Sequence, residues 1–444
     1  MQRVIIIFSF LVSLNSYADS LKLSFDEAID MALKNNPQIL ASKAQIDVYT
    51  GKSKEAFSGF LPQLNASAIY KRTTVNSPAQ VNLKLPSSLS TISSSIAGKR
   101  ESMDSYDNYT LGLTLNQLLW DFGRTSGLYD ATMKMKDSTI EDLKSTSDNL
   151  IINLYQTVLG YLLNQELYKA ALSYEKQMES HLEMARAQVN AGIRTNIDVL
   201  KAESDLYNAK LNSLKIKNMV ALSQINLKNL LGIAEEVDIE IGPPQRGESL
   251  QIASSQNYDY IQKRPEYLSM KMKVESLRGT LKSARAGYFP SLSLVGGLSY
   301  NGYQLDGLVY NWNIGGQLSW NLFSGFYTQS YEQEIRAQIH SLEANLQQVI
   351  QSIYLEIENS KILYREATER LELSKALLKV AEESLNLTEA RYKSGLGTFI
   401  EVSDAQNVYV NAKNAVIQAD YDLMLSEIRF KKAIGMLNYN KRGE

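Results

Sequence analysis

The sequence predicts a mainly α-helical chain that also carries the strands of a membrane β-barrel, in two copies of one strand–helix unit. Three observations favour this fold class: an internal duplication, two long stretches without proline, and segments in which apolar and polar residues alternate. A repeat of this length indicates that a whole structural unit is duplicated. Proline interrupts helix interiors, so the proline-free stretches can form very long helices. Alternation with period two is typical of strands.

The duplication is visible as two constant offsets along the chain. Pro37 recurs as Pro265, 228 residues later, whereas Gly192 recurs as Gly395, 203 residues later. The first copy therefore contains 25 more residues than the second. The predicted division is a signal peptide at 1–18, a first repeat at 19–232, a linker at 233–263, a second repeat at 264–437 and a tail at 438–444.

The first residues of the chain have the composition of a secretory signal peptide. Arg3 precedes an apolar stretch from Val4 to Leu14, and Ala18 completes a small-residue cleavage pattern. A membrane anchor is the weaker alternative, because the apolar stretch is too short to cross a bilayer. The chain has no cysteine, which excludes disulfides and a lipidated N-terminal cysteine. Its formal net charge of -2 gives no sign of nucleic-acid binding.

Each repeat is predicted to open with a helix of moderate length. In the first repeat this helix covers about 24–58, with Ser24 as its N-cap and Glu27 as its capping-box partner. In the second repeat it covers about 264–287. A Phe-Leu-Pro or Phe-Pro step then ends each helix, because proline disfavours helical geometry in the residue before it.

A β-hairpin follows in each repeat, at about 64–118 and about 291–320. The clearest alternation covers Tyr109 to Leu115 and Trp312 to Trp320. Tilted strands of about 10 residues with one apolar and one small polar face can cross a bilayer. A half-buried hairpin in a soluble sandwich is the alternative.

The hairpin loops differ in length, about 74–107 in the first repeat and about 301–310 in the second, so the loop holds most of the extra residues. One long and one short loop suit the cell-surface side of a barrel. Aromatic side chains near the strand ends are predicted to lie at the membrane–water interface, with ordinary packing as the alternative. These residues are Tyr109, Trp120, Trp312 and Trp320.

A pair of coiled-coil helices follows each hairpin, at about 126–231 and about 330–434. Apolar and small residues recur in both pairs at heptad spacing. The first helix of a pair, with about 65 residues, would extend roughly 97 Å. Each turn between paired helices has a glycine that suits a left-handed C-cap and a threonine that can cap the return helix. These turn residues are Gly192, Thr195, Gly395 and Thr398.

One chain cannot close a membrane barrel, because it supplies four strands and known barrels have about eight or more. Open sheet edges are not tolerated in lipid, so the chain must assemble with copies of itself. Three copies would supply about 12 strands, together with a closed wall of helices. Such an assembly would be a trimeric 12-stranded β-barrel that continues into a long α-helical barrel.

The order and spacing of these features resemble the TolC-type outer-membrane efflux proteins. The duplicated units, the Phe-Leu-Pro step and the turn sequences AGIRTNIDVLKA and SGLGTFIEVSDA carry the resemblance, which covers nearly all of the mature chain. It implies a homotrimeric channel-tunnel, with its β-barrel in outer-membrane lipid and its α-helical barrel crossing the periplasm. It also implies a periplasmic adaptor protein and an inner-membrane pump as partners.

The resemblance assigns roles to charged residues near the turns. Glu401 and Asp404 correspond to carboxylates that ring the periplasmic entrance and favour cations there. A simpler role is also open to them, since acidic residues at a helix start suit the helix dipole. The turn residues named above are expected to contact the adaptor.

The resemblance also implies links that hold the entrance closed. Tyr392 corresponds to a tyrosine that bonds to the counterpart of Asp198. Gly397 stands where the family has a second linking arginine, and Arg194 occupies the equivalent place in the first repeat. The closed entrance is therefore expected to be locked in a different way.

No catalytic constellation is recognisable in the sequence. The chain has two histidines, His181 and His340, and no cysteine, so one chain offers neither a His-rich metal site nor a Cys–His pair. His181 lies at a heptad seam, where packing is its expected role. We therefore expect no enzyme activity and no cofactor.

The function that the sequence favours is a passive outer-membrane exit duct for a tripartite efflux system. An exit duct for type I protein secretion is an alternative that the sequence does not separate from it. A non-conducting coiled-coil scaffold of the envelope is a further alternative, and the two-faced strands argue against it. Nothing in the sequence specifies the substrate, the adaptor or the pump.

Overall fold

The structure, a computed structural model, describes residues 21–74, 105–192, 194–233, 238–244 and 257–437. Its strands are β1 (Leu21–Leu23), β2 (Gln63–Thr74), β3 (Ser105–Trp120), β4 (Ile239–Ile241), β5 (Ser291–Gly302) and β6 (Val309–Ser319). Its helices are α1 (Phe25–Asn35), α2 (Pro37–Ser58), α3 (Arg124–Asn190), α4 (Asn196–Leu231), α5 (Asn257–Gln262), α6 (Pro265–Arg285), α7 (Tyr327–Lys393) and α8 (Phe399–Ala433). The predicted signal peptide, most of the longer hairpin loop and part of the predicted linker lie outside the described residues.

The chain forms two compact units, and each combines segments of both sequence repeats. The sheet unit consists of residues 47–137 and 272–343 and contains both hairpins. The helical unit consists of residues 1–46, 138–271 and 344–444 and contains both helix turns. Neither unit coincides with a repeat, so the predicted repeat boundaries stay a prediction.

The sheet unit contains a four-stranded antiparallel sheet in the order β2-β3-β5-β6. Its register places most of the apolar residues of the four strands on one face and mostly small polar residues on the other. A row of the apolar face is Ala66, Leu113, Leu298 and Trp312, and a row of the polar face is Asn65, Thr114, Gly297 and Asn313. A slip of one residue would exchange the two faces, so the alternating pattern fixes the register.

Two local features complete the base of this sheet. A β-bulge just before Trp120 returns that side chain to the apolar face, opposite Leu292. The chain then enters α3 through Phe122 and Gly123, whose φ angles are 54° and 93°. A positive φ is uncommon for a residue other than glycine. Phe122 is held there by stacking on Phe289, with ring centroids 4.9 Å apart.

The helical unit buries its apolar side chains in clusters along the helices. One cluster joins α1, α3 and α4 and includes Ile29, Leu154 and Leu227. Another lies near the helix turns and includes Leu206 and Phe399. The short strands β1 and β4 pair in parallel beside the first cluster, which ties the described start of the chain to the segment after α4.

A buried arginine outside α8 caps the C-terminal end of that helix in the helical unit. Arg264 is 3% exposed and donates to the carbonyls of Lys432 and Ala433, in the last turn of that helix. It also forms ion pairs with Glu266 and Glu356. A buried cation is tolerated because these partners compensate its charge.

The prediction of a single opening helix over about 24–58 is wrong. Ser24 does cap α1 through a capping box with Glu27, as predicted. Asn36 then adopts an extended conformation (φ -66°, ψ 125°), because Pro37 disfavours helical geometry in the residue before it. A second helix starts at Pro37, since the first position of a helix accepts proline.

Helices α3 and α6 approach closely through glycine in the sheet unit. A Cβ atom added at Gly127 would lie 2.7 Å from the carbonyl oxygen of Gly279, and one added at Gly279 would lie 2.8 Å from the nitrogen of Ala131. Side chains do not pack at such distances, so this crossing requires glycine on both helices. A Cβ at Gly160, further along α3, would meet no heavy atom within 4 Å.

We expect Gly127→Ala to lower the free energy of unfolding by about 1–3 kcal/mol, because an added methyl group must displace the α6 backbone. Gly160→Ala in the same helix is the matched control and should raise it by roughly 0.5–1 kcal/mol, since alanine is the better helix former. Thermal unfolding in detergent measures both changes. Equal unfolding midpoints for the two variants would contradict the close crossing.

Candidate functional site

The candidate site consists of the two helix turns of the helical unit, α3 to α4 and α7 to α8. Gly192 and Gly395 end the outgoing helices with φ angles of 74° and 76°, the left-handed geometry that the sequence predicts. The two turns are therefore alike in backbone, and their differences arise from side chains.

The first difference is in how the return helices are capped. Thr398 accepts a hydrogen bond from the Glu401 amide (3.3 Å), and the Glu401 carboxylate accepts one from the Thr398 amide (3.4 Å). Thr195, the N-cap of α4, makes no such side-chain bond. The third helical residue of α4 is Asp198, one methylene shorter than the glutamate or glutamine of a capping box. Of the two return helices, α8 alone therefore starts with a capping box.

Arg194 links the two turns. Its guanidinium donates to the Gly397 carbonyl (2.9 Å) and lies over the Tyr392 ring, 5.0 Å from the centroid. A Cβ added at Gly397 would lie 3.2 Å from both Glu401 Oε2 and the Tyr392 nitrogen, so a larger residue is disfavoured there. The resemblance places a linking arginine at this position of the second repeat. Here the cation comes from the opposite turn.

The bond from Tyr392 to Asp198 that the resemblance implies is not the one the structure contains. The Tyr392 hydroxyl donates its single proton to Gln188 on α3, at 2.7 Å. Tyr392 is 5% exposed, and burial is the main cause that raises its pKa. Arg194 opposes this rise in pKa and Asp198 adds to it, so Asp198 acts on the tyrosine through its charge.

The carboxylates of the two turns have different surroundings. Glu401 and Asp404 are both exposed on the first turns of α8. The first-repeat counterpart of Asp404 is Lys201, whose ammonium pairs with Asp205 at 2.8 Å. Acidic surface is therefore concentrated on the second turn. The arrangement of these carboxylates around an entrance stays a prediction.

The sequence does not predict a buried polar seam between α8 and the helices of the first repeat. Gln406, 1% exposed, exchanges two amide hydrogen bonds with Gln177, at 2.9 and 3.0 Å. Ser403 donates to the buried Asp205 at 2.8 Å. Both α8 residues lie one position beyond heptad seam residues, so the heptad pattern of α8 contains no signal for them. Helix α8 buries a wider face than one seam.

The four aromatic residues predicted at the membrane interface lie on the strands or directly after them. Trp120 and Trp320 stand at the base of the sheet, where Trp320 Nε1 donates to the Tyr288 carbonyl at 3.1 Å. Tyr109 lies 11 residues before Trp120 on β3. Trp312, near the start of β6, is 70% exposed. The Tyr109–Trp120 spacing corresponds to about 28 Å for a strand tilted by about 40°, close to the thickness of the hydrocarbon core. Their place at an interface stays a prediction.

His181 lines a cavity of about 200 Å³ next to the turns, together with Glu389, Lys393 and Phe399. Its ring meets that of Phe399 edge-on, with centroids 6.3 Å apart. Burial lowers the pKa of His181, Lys393 lowers it further, and Glu389 and Asp205 partly offset the decrease. This surrounding favours the neutral imidazole over the charged form.

Two features are absent from the part of the chain that the structure describes, a membrane-spanning helix and a metal-binding cluster. None of its helices is long and apolar enough to cross a membrane. Its His, Asp and Glu side chains form no group of three or more that could hold a metal ion. The turns themselves offer exposed carboxylates and two closely similar backbone conformations.

A comparison with protein families shows to which family the chain belongs. The model of the family described as "Outer membrane efflux protein" matches residues 28–233 and 258–436, most of the chain. The chain belongs to the outer membrane efflux protein family. This membership confirms the resemblance and the predicted location in the outer membrane.

Individual relatives of this outer membrane efflux protein are distant but similar over most of their length. The probable efflux pump outer membrane protein TtgC of Pseudomonas putida is 22% identical over 429 residues, which cover 95% of this chain and 84% of TtgC. The structure of CusC has a TM-score of 0.81 at 17% identity and covers 95% of both chains. The CmeC outer membrane channel of Campylobacter jejuni has a TM-score of 0.78 at 18% identity, over 94% of this chain and 87% of CmeC. These structures confirm the predicted fold class.

We expect Arg194→Gln to loosen the second turn of this efflux protein by about 2 kcal/mol, because it removes a charged hydrogen bond and a cation–π contact. Tyr392→Phe removes one hydroxyl bond and should cost about 1 kcal/mol. Hydrogen exchange at the amides of Gly395, Leu396 and Gly397 measures this local opening. Arg186→Gln, which breaks an exposed ion pair with Glu203, is the control and should leave it unchanged. Equal protection in the Arg194 and Arg186 variants would count against the link.

Acid should weaken the packing around His181. The pKa of the folded-state imidazole lies below the 6.5 of a free histidine side chain, so the stabilising effect of the neutral ring is present above pH 6.5 and is lost as the pH falls below that value. Exchange at the Phe399 to Val402 amides, corrected for intrinsic rates, should therefore accelerate from pH 7.5 to about 5.

His181→Gln should flatten this pH dependence, whereas the control His340→Gln should keep it, because the His340 side chain is 82% exposed. The same pH response in wild type and in His181→Gln would show that another group is responsible.

Proposed function

We propose that three copies of this chain form a passive duct through the outer membrane, by which an efflux system exports small molecules. A periplasmic adaptor and an inner-membrane pump complete the system in this proposal, and the chain itself catalyses no reaction. Relatives at 22% identity support efflux over protein secretion, because Pseudomonas putida proteins named as antibiotic and toluene efflux pump outer membrane proteins are among them.

The observation that carries the proposal is the sheet, with its two unlike faces and two edge strands. Within the described residues, β2 and β6 each pair with one neighbour. In lipid, each unpaired backbone group at such an edge costs several kcal/mol. Neighbouring strands alternate in direction from β2 to β6, so β6 of one copy would run antiparallel to β2 of the next. The same pairing can therefore close a ring.

A ring of three copies suits a duct better than a ring of two. Two copies would give about eight strands, a barrel whose interior is filled by side chains. Three copies would give about 12 strands and leave an open interior. The serine, threonine, asparagine and glycine residues of the polar face suit a water-filled lining, whereas Leu113 and Trp312 suit contact with lipid.

Helices α4 and α7 support the same assembly within the helical unit. Each carries an apolar stripe at heptad spacing that is exposed in the single chain, although such stripes are normally buried between helices. The α4 stripe contains Ile197, Leu200, Tyr207, Leu211 and Leu214, and the α7 stripe contains Leu373, Leu377, Val380 and Leu387. These side chains are between 53% and 72% exposed. Apolar surface of this extent marks a protein interface, and a neighbouring copy offers the complementary stripe.

The helix turns form the closed entrance in this proposal. Carboxylates of Glu401 and Asp404 from three copies would surround a narrow opening, attract cations and bind multivalent ones. Arg194 and Tyr392 would hold neighbouring turns together, and the negative charge of Asp198 would act on Tyr392. The outer residues of the turns would contact the adaptor. These are Gly192, Thr195, Gly395 and Thr398.

Recordings from the purified protein in planar bilayers test the proposal. Wild type should form cation-preferring channels that multivalent cations block. Glu401→Gln with Asp404→Asn should abolish the block and weaken the preference for cations, because the ring of charge is lost. Glutamine retains the capping-box bond to Thr398, so the fold of the turn is preserved.

The control is Glu166→Gln with Glu179→Gln, which removes two carboxylates of α3 that are 45% and 55% exposed. It should conduct like wild type. A protein that stays monomeric, or assembles without conducting ions, would contradict the duct and favour an envelope scaffold.

A further inference from the structure

A groove of about 550 Å³ with basic walls lies between α6 and α7 in the sheet unit. Its basic side chains are Arg278, Lys282 and Arg285 on α6 and Arg336 and His340 on α7; its acidic lining residue, Glu343, pairs with Arg278 at 3.0 Å. Spacings of three and four residues place each set along one face of its helix. Phe122 and Phe289 contribute an aromatic wall to the groove.

This aromatic wall joins the groove to the apolar face of the sheet. Phe122 stacks on Phe289, and Trp120 of the apolar face meets Phe122 edge-on with centroids 6.0 Å apart. The side chain of Lys282 crosses the same turn, with its Cε 3.2 Å from where a Cβ of Gly123 would lie. The groove therefore opens beside the apolar face, at the end of the sheet where the helices begin.

Positive charge is in excess next to the aromatic wall. Arg285 and Arg336 share one carboxylate, Glu332, at 2.9 and 2.8 Å. Tyr288 also donates to Glu332, and the hydrogen bonds from the two arginines lower the pKa of that carboxyl group. Lys282 pairs with Asp130 at 3.2 Å, so three cations face two carboxylates. Two guanidinium groups carry more N–H donors than one carboxylate can accept.

We infer that this groove binds the headgroup of an anionic phospholipid in the periplasmic leaflet of the outer membrane. The inference rests on the proposed function, which turns the apolar face of the sheet toward lipid. Lys282 lies seven residues before Phe289, about 10 Å at the rise of a helix. That distance places it in the headgroup layer beside the hydrocarbon core.

The two walls suit the two parts of such a lipid. Lys282, Arg285 and Arg336 offer charged donors to the phosphate. Phe122 and Phe289 offer apolar contact to the glycerol and the first methylenes of the acyl chains. A free phosphate ion, or a carboxylate of the cell wall, would use the cations and gain nothing from the stacked rings.

Native mass spectrometry of the full-length protein, extracted together with phosphatidylglycerol, tests the inference. A triple variant removes the three cations: Lys282→Gln, Arg285→Gln and Arg336→Gln. It should retain about tenfold less phosphatidylglycerol than wild type, which corresponds to about 1.4 kcal/mol. Retention of zwitterionic phosphatidylcholine should be weak and equal in both.

A matched control removes one lysine and two arginines that are also in exposed ion pairs, but in the helical unit. Its substitutions are Lys169→Gln, Arg186→Gln and Arg370→Gln. It should retain phosphatidylglycerol like wild type. If the triple groove variant does not fold, Lys282→Gln alone breaks a single exposed pair and should still reduce retention about two-fold.

Unchanged phosphatidylglycerol retention in a groove variant that still forms conducting channels would overturn the lipid site and leave the duct intact. Failure of the wild type to assemble and conduct would instead overturn the duct. Two further results would also overturn the lipid site. If the protein binds inorganic phosphate without lipid and the groove substitutions abolish that binding, the groove is a phosphate site. If only the groove variants fail to co-sediment with purified peptidoglycan, the groove binds the cell wall.

Discussion

Backbone groups at the edge of a sheet have no water to bond with in lipid, and this constraint governs how the chain is built. The chain contributes a four-stranded sheet with two edges, β2 and β6, and strands that alternate in direction from one edge to the other. An even number of strands per chain lets identical copies pair around a ring without a parallel junction. The strand count and the strand directions are thus compatible with the self-association that we propose.

The long-range layout of the fold could be predicted because its signals are periodic. Proline-free heptads predict helices over about 126–190 and 330–394, and the structure has them at Arg124–Asn190 and Tyr327–Lys393. Alternation predicts the strands, because one misplaced residue would move every side chain to the wrong face. The interruption at Asn36 is signalled by Pro37 and not by periodicity, because proline disfavours helical geometry in the residue before it and can itself start a helix.

The details of the turns were less accessible from the sequence. Arg194 bonds to a backbone carbonyl, which every residue possesses, so no partner residue type identifies the contact. Gln177 and Gln406 are 229 residues apart, and neither amide carries a charge that would suggest its partner. The basic groove was hidden for another reason. Its cations are spread over α6 and α7, and only the fold of the sheet unit brings them together.

The difference between Asp198 and Glu401 has a consequence for how such a protein can evolve. A ring built from six identical subunits would change at all six turns whenever one codon changed. In the ring that we propose, fusion of two repeats in one chain removes that restriction, since a substitution in either repeat would reach alternate turns only. One set of turns can then keep Arg194 as a linking residue while the other set keeps its exposed carboxylates. Gene duplication thus allows the linking contacts and the exposed carboxylates of the proposed ring to evolve independently.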